Sequence, residues 1–221
     1  MVPAGDPLPE PIPVTHSPTV RLHRGDLPAS YDPGASVAID TETLGLNPHR
    51  DRLCVVQLST GDGTADVVQI LPGAPAPEVL KRVLSDERVL KIFHFARFDL
   101  AVLFHRLGVM PGPVYCTKIA SKLARTYTDR HGLKDVVRET VGVELSKQQQ
   151  SSDWGADSLS QAQLDYAASD VLHLHAAKAR LDTMLAREGR TDLAQACFRF
   201  LPDRARLDLL GWAETDIFAH T

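Results

Sequence analysis

The stretch Val37-Ala38-Ile39-Asp40-Thr41-Glu42-Thr43 is an apolar run that closes on two acids with one residue between them. Side chains alternate between the faces of an extended strand, so Asp40 and Glu42 leave the same face from neighbouring positions. Two carboxylates aimed at one point repel unless positive charge lies between them, and hard oxygen ligands of this kind suit a divalent cation. A strand that merely ends in solvated acids gives the same short pattern. What separates the two readings is whether other parts of the chain supply acids of the right kind.

Working outward, Leu53 to Leu58 and Ala65 to Leu71 read as further strands divided by the turn Gly61-Asp62-Gly63, and the short spacers predict antiparallel neighbours. Upstream, Val20 to Leu27 reads as a first short strand and turn, and Pro28 to Gly34 as a loop. Beyond Pro72 to Pro77 the period becomes helical, with Val79, Leu80, Val83 and Leu84 on one face. Val89 to Phe95 is again strand-like, and Phe98 to Leu107 is a helix ended by Gly108 and Pro111. Ile119 to Ala124 and Leu133 to Val141 read as short helices. Ser160, with Gln163 three residues on, opens a helix whose stripe is Leu164, Ala167, Ala168, Val171 and Leu172. Thr191 to Leu210 is further helix, interrupted at Pro202-Asp203. The order of elements predicts an α/β domain, a mixed sheet with helices on its faces.

The chain has 221 residues, 24% charged and 43% hydrophobic, which fits one globular domain. Pro3, Pro7, Pro9, Pro11, Pro13 and Pro18 leave too few donors for regular structure, so residues 1–19 are expected to be a flexible extension and 20–221 the domain. A formal charge of −4 argues against a broad basic surface for long nucleic acid and leaves room for a small anionic ligand. Cys54, Cys116 and Cys197 are odd in number and far apart, which argues against a disulfide framework or zinc knuckle and for a reducing compartment. No apolar run approaches a membrane span, so a cytoplasmic protein with no membrane partner is expected. The nine histidines form neither H-x-x-x-H nor H-E-x-x-H, which argues against a zinc hydrolase.

Further acids sit where they can join the first pair. In Phe93-His94-Phe95-Ala96-Arg97-Phe98-Asp99-Leu100 an acid comes immediately after a strand, among apolar residues that draw it inward; a helix N-terminus would also favour a carboxylate there. Tyr166 and Asp170 are four apart on the capped helix and share a face, which equally describes a buried tyrosine with an acceptor one turn on. Each item is weak alone. Four acids and a phenol from separate elements point together to one site.

Asp40-x-Glu42, Asp99 and Tyr166-x-x-x-Asp170, in this order, resemble the three exonuclease motifs of the tyrosine-bearing DEDD superfamily that includes ribonuclease D. Asp40 to Gln57, Tyr115 to Val136, Ser146 to Trp154 and Gly211-Trp212 are similar to the short single-domain relatives called nanoRNase C. The resemblance implies a ribonuclease H-like mixed sheet flanked by helices, and a 3′–5′ exoribonuclease that prefers dinucleotides and releases nucleoside 5′-monophosphates. The alternatives it leaves are a broader enzyme for longer RNA or DNA and an inactive nucleic-acid-binding relative. It also implies two divalent cations, Mg2+ or Mn2+, held by Asp40, Glu42, Asp99 and Asp170, with Tyr166 orienting the attacking water. A homo-oligomer, an octameric ring, is implied too, and the run Leu209-Leu210-Gly211-Trp212 with Ile217-Phe218 is a candidate subunit contact.

Substrate contacts are expected at Thr41, at Leu44 on the turn after the acid pair, and in the polar loop at Lys147, Gln150, Ser151 and Trp154. Leu44 is also of the type that fills cores, and such a loop can be simply solvated. Lys118, Lys122, Arg125 and Arg130 read as a wet helix face. Phe95 stands where ribonuclease D commonly has Asn.

Overall fold

The computed structural model describes residues 18–146 and 148–220. The proline-rich residues 1–17 and Lys147 lie outside the described residues. Six strands form one mixed sheet: β1 (Thr19–Arg24), β2 (Ser36–Thr43), β3 (Leu53–Ser59), β4 (Thr64–Gln69), β5 (Leu90–Phe93) and β6 (Val114–Cys116), in the spatial order β1-β4-β3-β2-β5-β6. The short turns make β2, β3 and β4 an antiparallel meander, as their spacing predicts. β5 and β6 add in parallel beyond β2, and β1 adds in parallel beyond β4.

β2 is thus an interior strand, with Val37, Ala38 and Ile39 wholly buried before the acids begin. β3 is buried along its whole length, which explains its apolar composition. The helices are α1 (Glu78–Ser85), α2 (Ala96–Leu107), α3 (Thr117–Ala124), α4 (Leu133–Val141), α5 (Gln161–Leu172), α6 (Leu174–Arg187) and α7 (Thr191–Leu207). α5 packs across β1 to β4, while α2, α6 and α7 pack towards β5 and β6. The α5 start is the expected capping box: the Ser160 hydroxyl accepts from the Gln163 amide, and the Gln163 side chain accepts from the Ser160 amide.

The structure corrects several boundaries. The strand expected over Val89 to Phe95 is only Leu90–Phe93, because Phe95 turns into the left-handed region (φ 68°) and caps α2, which begins at Ala96. β6 has three residues between the Gly112-Pro113 bend and α3, too few to show a period of two. α7 runs unbroken through Pro202, since Ala194, Phe198, Leu201 and Ala205 bury one continuous face and hold the helix together across the missing donor. Arg125 is not on a wet face: it is 1% exposed, with Nη1 donating to Ser121 Oγ and the Arg130 carbonyl and Nη2 paired to Glu139.

Candidate active site

The carboxylates gather where the end of β2 meets the start of α2 and the last turn of α5. Strand alternation sends Asp40 and Glu42 to one face. Asp40 lies directly opposite Gln57 in the β2–β3 register, and the register shifts between Glu42 and Thr43, at the foot of the loop that carries Leu44. On α5, Asp170 is one turn beyond Tyr166. One ligand oxygen from each of Asp40, Glu42 and Asp170 lies within 4.8 Å of the others.

Asp99, 3% exposed, sits in the first turn of α2. Thr41, pointing to the opposite face from Asp40, donates its hydroxyl to Asp99 Oδ1 at 2.6 Å. Of the neighbouring charges, Asp99 raises the Asp40 pKa most. All four expected acids therefore share one electrostatic site, and three of them form the close ligand group.

Burial is the first cause of every perturbed pKa here; mutual repulsion adds to it at Asp40 and Glu42, while hydrogen bonds from Thr41 and Tyr166 oppose it at Asp99 and Asp170. Asp40 is raised well above the ordinary carboxylate range by burial and by Asp99, Asp170 and Glu42. Glu42 is pushed up to about 9 by burial, Asp170 and Asp99. Burial pushes Asp99 and Asp170 each up to about 7. None of the main influences on the four is a cationic side chain. A cluster of hard oxygens this short of positive charge fits a divalent ion by charge and by ligand type. The Tyr166 phenol is pushed far above its ordinary value by burial and then by Asp170, Glu42 and Asp40, so it keeps its proton at neutral pH.

The sequence reading missed Gln57, whose Nε2 donates to Asp40 Oδ2 at 2.9 Å. Its signal was an amide inside the otherwise apolar Leu53-Cys54-Val55-Val56-Gln57-Leu58, which has no reason to be there except a partner. The expected substrate contacts divide. Leu44 is 53% exposed beside Gly155, where a Cβ would come within 2.7 Å of Leu44 Cδ2. Thr41 is occupied by Asp99. Trp154 is 2% exposed in a small core with Cys54, Val55, Val67 and Ala167, 6.0 Å from the Tyr166 ring, and supports that ring from behind. Gln150 and Ser151 are exposed in their turn. A cleft of about 370 Å3 opens beside Tyr166, lined by Ser146, Gln148, Gln149, Ser169 and His173 among others. Cys116 is buried at the start of α3 and Cys54 in the small core.

The site and fold define a class, that of metal-dependent exonuclease domains. The family model for 3′–5′ exonucleases matches residues 26–186. The chain belongs to this family, in its ribonuclease D-like DEDD branch, on a ribonuclease H-like fold. It is similar to Brucella melitensis NrnC bound to pGG, with 64% identity and a TM-score of 0.89 over 93% of this chain and 100% of that one. The same protein with bound Mg2+ superposes with 64% identity and a TM-score of 0.86 over 92% and 100%. Ribonuclease D of Gluconacetobacter diazotrophicus is 36% identical over 170 residues, 76% of this chain and 42% of that protein. The chain thus spans about two fifths of the length of the curated relatives it matches.

Proposed function

We propose that the protein is a cytoplasmic 3′–5′ exoribonuclease that hydrolyses very short RNA, dinucleotides above all, to nucleoside 5′-monophosphates. The observation that carries the hydrolytic reading is the convergence of Asp40, Glu42 and Asp170 within 4.8 Å, with Asp99 and Tyr166 beside them. Preference for dinucleotides is supported by the likeness over nearly the whole domain to NrnC, a protein that binds pGG.

Asp40, Glu42 and Asp170 would hold one divalent cation, and Asp40 with Asp99 a second. Mg2+ or Mn2+ bound there would neutralise negative charge on the phosphoryl oxygens, acidify the attacking water and stabilise the leaving oxygen. Gln57 fixes the Asp40 carboxylate, and the Thr41 hydroxyl does the same for Asp99. Tyr166, protonated at neutral pH, orients the attacking water through its hydroxyl rather than acting as a strong base. In-line attack at the 3′-terminal phosphodiester breaks the bond to the 3′ oxygen of the preceding ribose and leaves the phosphate on the released nucleotide. Leu44, Lys147, Gln150 and Ser151 remain candidate substrate contacts, with Thr41 and Trp154 acting through Asp99 and Tyr166.

The likeness to ribonuclease D supports a second reading, a trimming enzyme for longer RNA. A ladder of 5′-labelled RNA and DNA from two to about twenty nucleotides separates them. Dinucleotide RNA is expected to turn over fastest by a wide margin, and equal rates along the ladder would overturn the restriction. The protein also assembles as a homo-oligomer in this reading, an octameric ring. Leu210 (71%), Trp212 (44%), Ile217 (44%) and Phe218 (77%) expose the apolar surface for it, whereas Leu209 packs on the core. A monomer by light scattering would contradict the assembly. Among the described residues no helix is long and apolar enough to cross a membrane.

A further inference from the structure

We propose that Phe95 and Lys118 form a stacking platform for a nucleobase next to the scissile phosphate, an inference that rests on the exonuclease reading above.

Position comes first. β2 and β5 pair in parallel as far as Ala38 beside Ile92, so Asp40 and His94, each two residues past that pair, leave the sheet at the same end, and Phe95 follows. From Phe95, Asp99 is one helical turn further along α2. The backbone of Phe95 therefore lies at the end of the sheet that carries the carboxylate cluster.

Conformation comes second. Phe95 is the one non-glycine with positive φ among the described residues, at φ 68° and ψ 40°. Glycine would take this cap without strain, and a bulky aromatic does not. The ring is nonetheless 45% exposed, so core packing does not account for it. Strain kept at the rim of a site for an exposed aromatic indicates a task for the ring itself.

The cation comes third. Lys118 Nζ lies 4.1 Å from the ring centroid. Its helix is bolted to the end of β5: the Thr117 hydroxyl donates to the Phe93 carbonyl at 3.1 Å. With that proton committed, Thr117 Oγ1 accepts from His94 Nδ1 at 2.9 Å. The ammonium thus covers one face of the ring, and a base would take the other. Base on ring and phosphate on ammonium is the chemistry by which proteins hold single-stranded nucleotides without reading sequence. Such a platform also suits a substrate of few phosphates, for which one placed cation replaces a broad basic surface.

The test uses the full chain and the dinucleotide pGG, with turnover measured in Mg2+ and Kd by calorimetry in Ca2+. Phe95→Gly relieves the strained cap, so its Tm is expected at or above that of the parent, while Kd and KM for pGG rise about tenfold or more. Phe95→Leu, apolar without a π face, is expected to show most of the same loss. Two pGG analogues, each lacking one base, locate the contact: the Phe95→Gly penalty is expected to vanish for one and persist for the other. Lys118→Gln is expected to weaken binding and flatten its salt dependence by close to one counterion. A Kd for Phe95→Gly within twofold of the parent overturns the platform, whether or not the parent turns pGG over. Absent turnover with a weakened Kd would instead sink the hydrolase reading and leave the platform standing.

Discussion

Asp40 and Gln57 face each other across β2 and β3, and the Gln57 amide donates to Asp40 Oδ2 at 2.9 Å. The bond restricts rotation of a carboxylate that Asp99, Asp170 and Glu42 all repel. Replacing Gln57 by Leu keeps the volume and removes an amide whose Oε1 has no partner among the described residues, so the fold should lose little stability. Activity is expected to fall about 10- to 100-fold, the usual cost of losing a group that orients a metal ligand. Steady-state kinetics over a Mg2+ titration check it, with half-saturation moving to higher Mg2+.

Asp170→Asn is expected to abolish turnover and stabilise the metal-free protein. The Asp170 pKa is raised by burial to about 7, so its contribution to stability is full below the unfolded value near 4 and is lost as pH rises towards 7. At pH 8 the parent carries the whole penalty and the Asn variant none of it. The variant should melt several degrees higher at pH 8 without metal and show little gain at pH 4. Added Mg2+ should raise the Tm of the parent more than that of the variant.

His94 gives the opposite slope. Burial, with Lys118 nearby, lowers its pKa to about 3, so between pH 6.5 and 3 the unfolded chain takes up a proton that the folded chain refuses. Stability supplied by this residue is complete above pH 6.5 and declines as the pH falls. Between pH 7.5 and 5 the loss should be about 2 kcal/mol. His94→Gln can still donate to Thr117 and does not titrate. Urea unfolding at the two pH values should show a smaller drop for the variant than for the parent.

Gly155→Ala tests Leu44 without touching it. Gly155 has an ordinary backbone conformation, and the new methyl would lie 2.7 Å from Leu44 Cδ2, the end of a flexible side chain. Leu44 should swing aside at a cost below about 1 kcal/mol in stability. If the leucine meets substrate, KM for a dinucleotide rises several-fold with Tm nearly unchanged; an unaltered KM would remove Leu44 from the binding surface.

The parts of the fold legible in the sequence were those set by local chemistry. The meander follows from the Gly61-Asp62-Gly63 turn, and the α5 start from Ser160 and Gln163. The acids were legible because their spacing on strand and helix fixes their faces. β6 was hidden by its length, and the continuity of α7 through Pro202 by packing that outweighs a local preference. Arg125 and Trp154 were misread for a shared reason. Both are polar-tipped residues in polar stretches, and only the assembled structure shows the Glu139 partner of one and the small core that encloses the other. Gln57 needed the cross-strand register, which composition does not carry.

The place of β2 inside the sheet bears on how activity is lost under stress. Around Ala38 the strand pairs with β3 on one side and β5 on the other, so amide protons there should be among the slowest in the chain to exchange with deuterium. The outer strand β1 and the last turn after α7 can open and reclose without disturbing that strand. Inactivation by mild heat or denaturant is therefore expected to coincide with cooperative melting of the whole domain, with no earlier stage that is folded but inert.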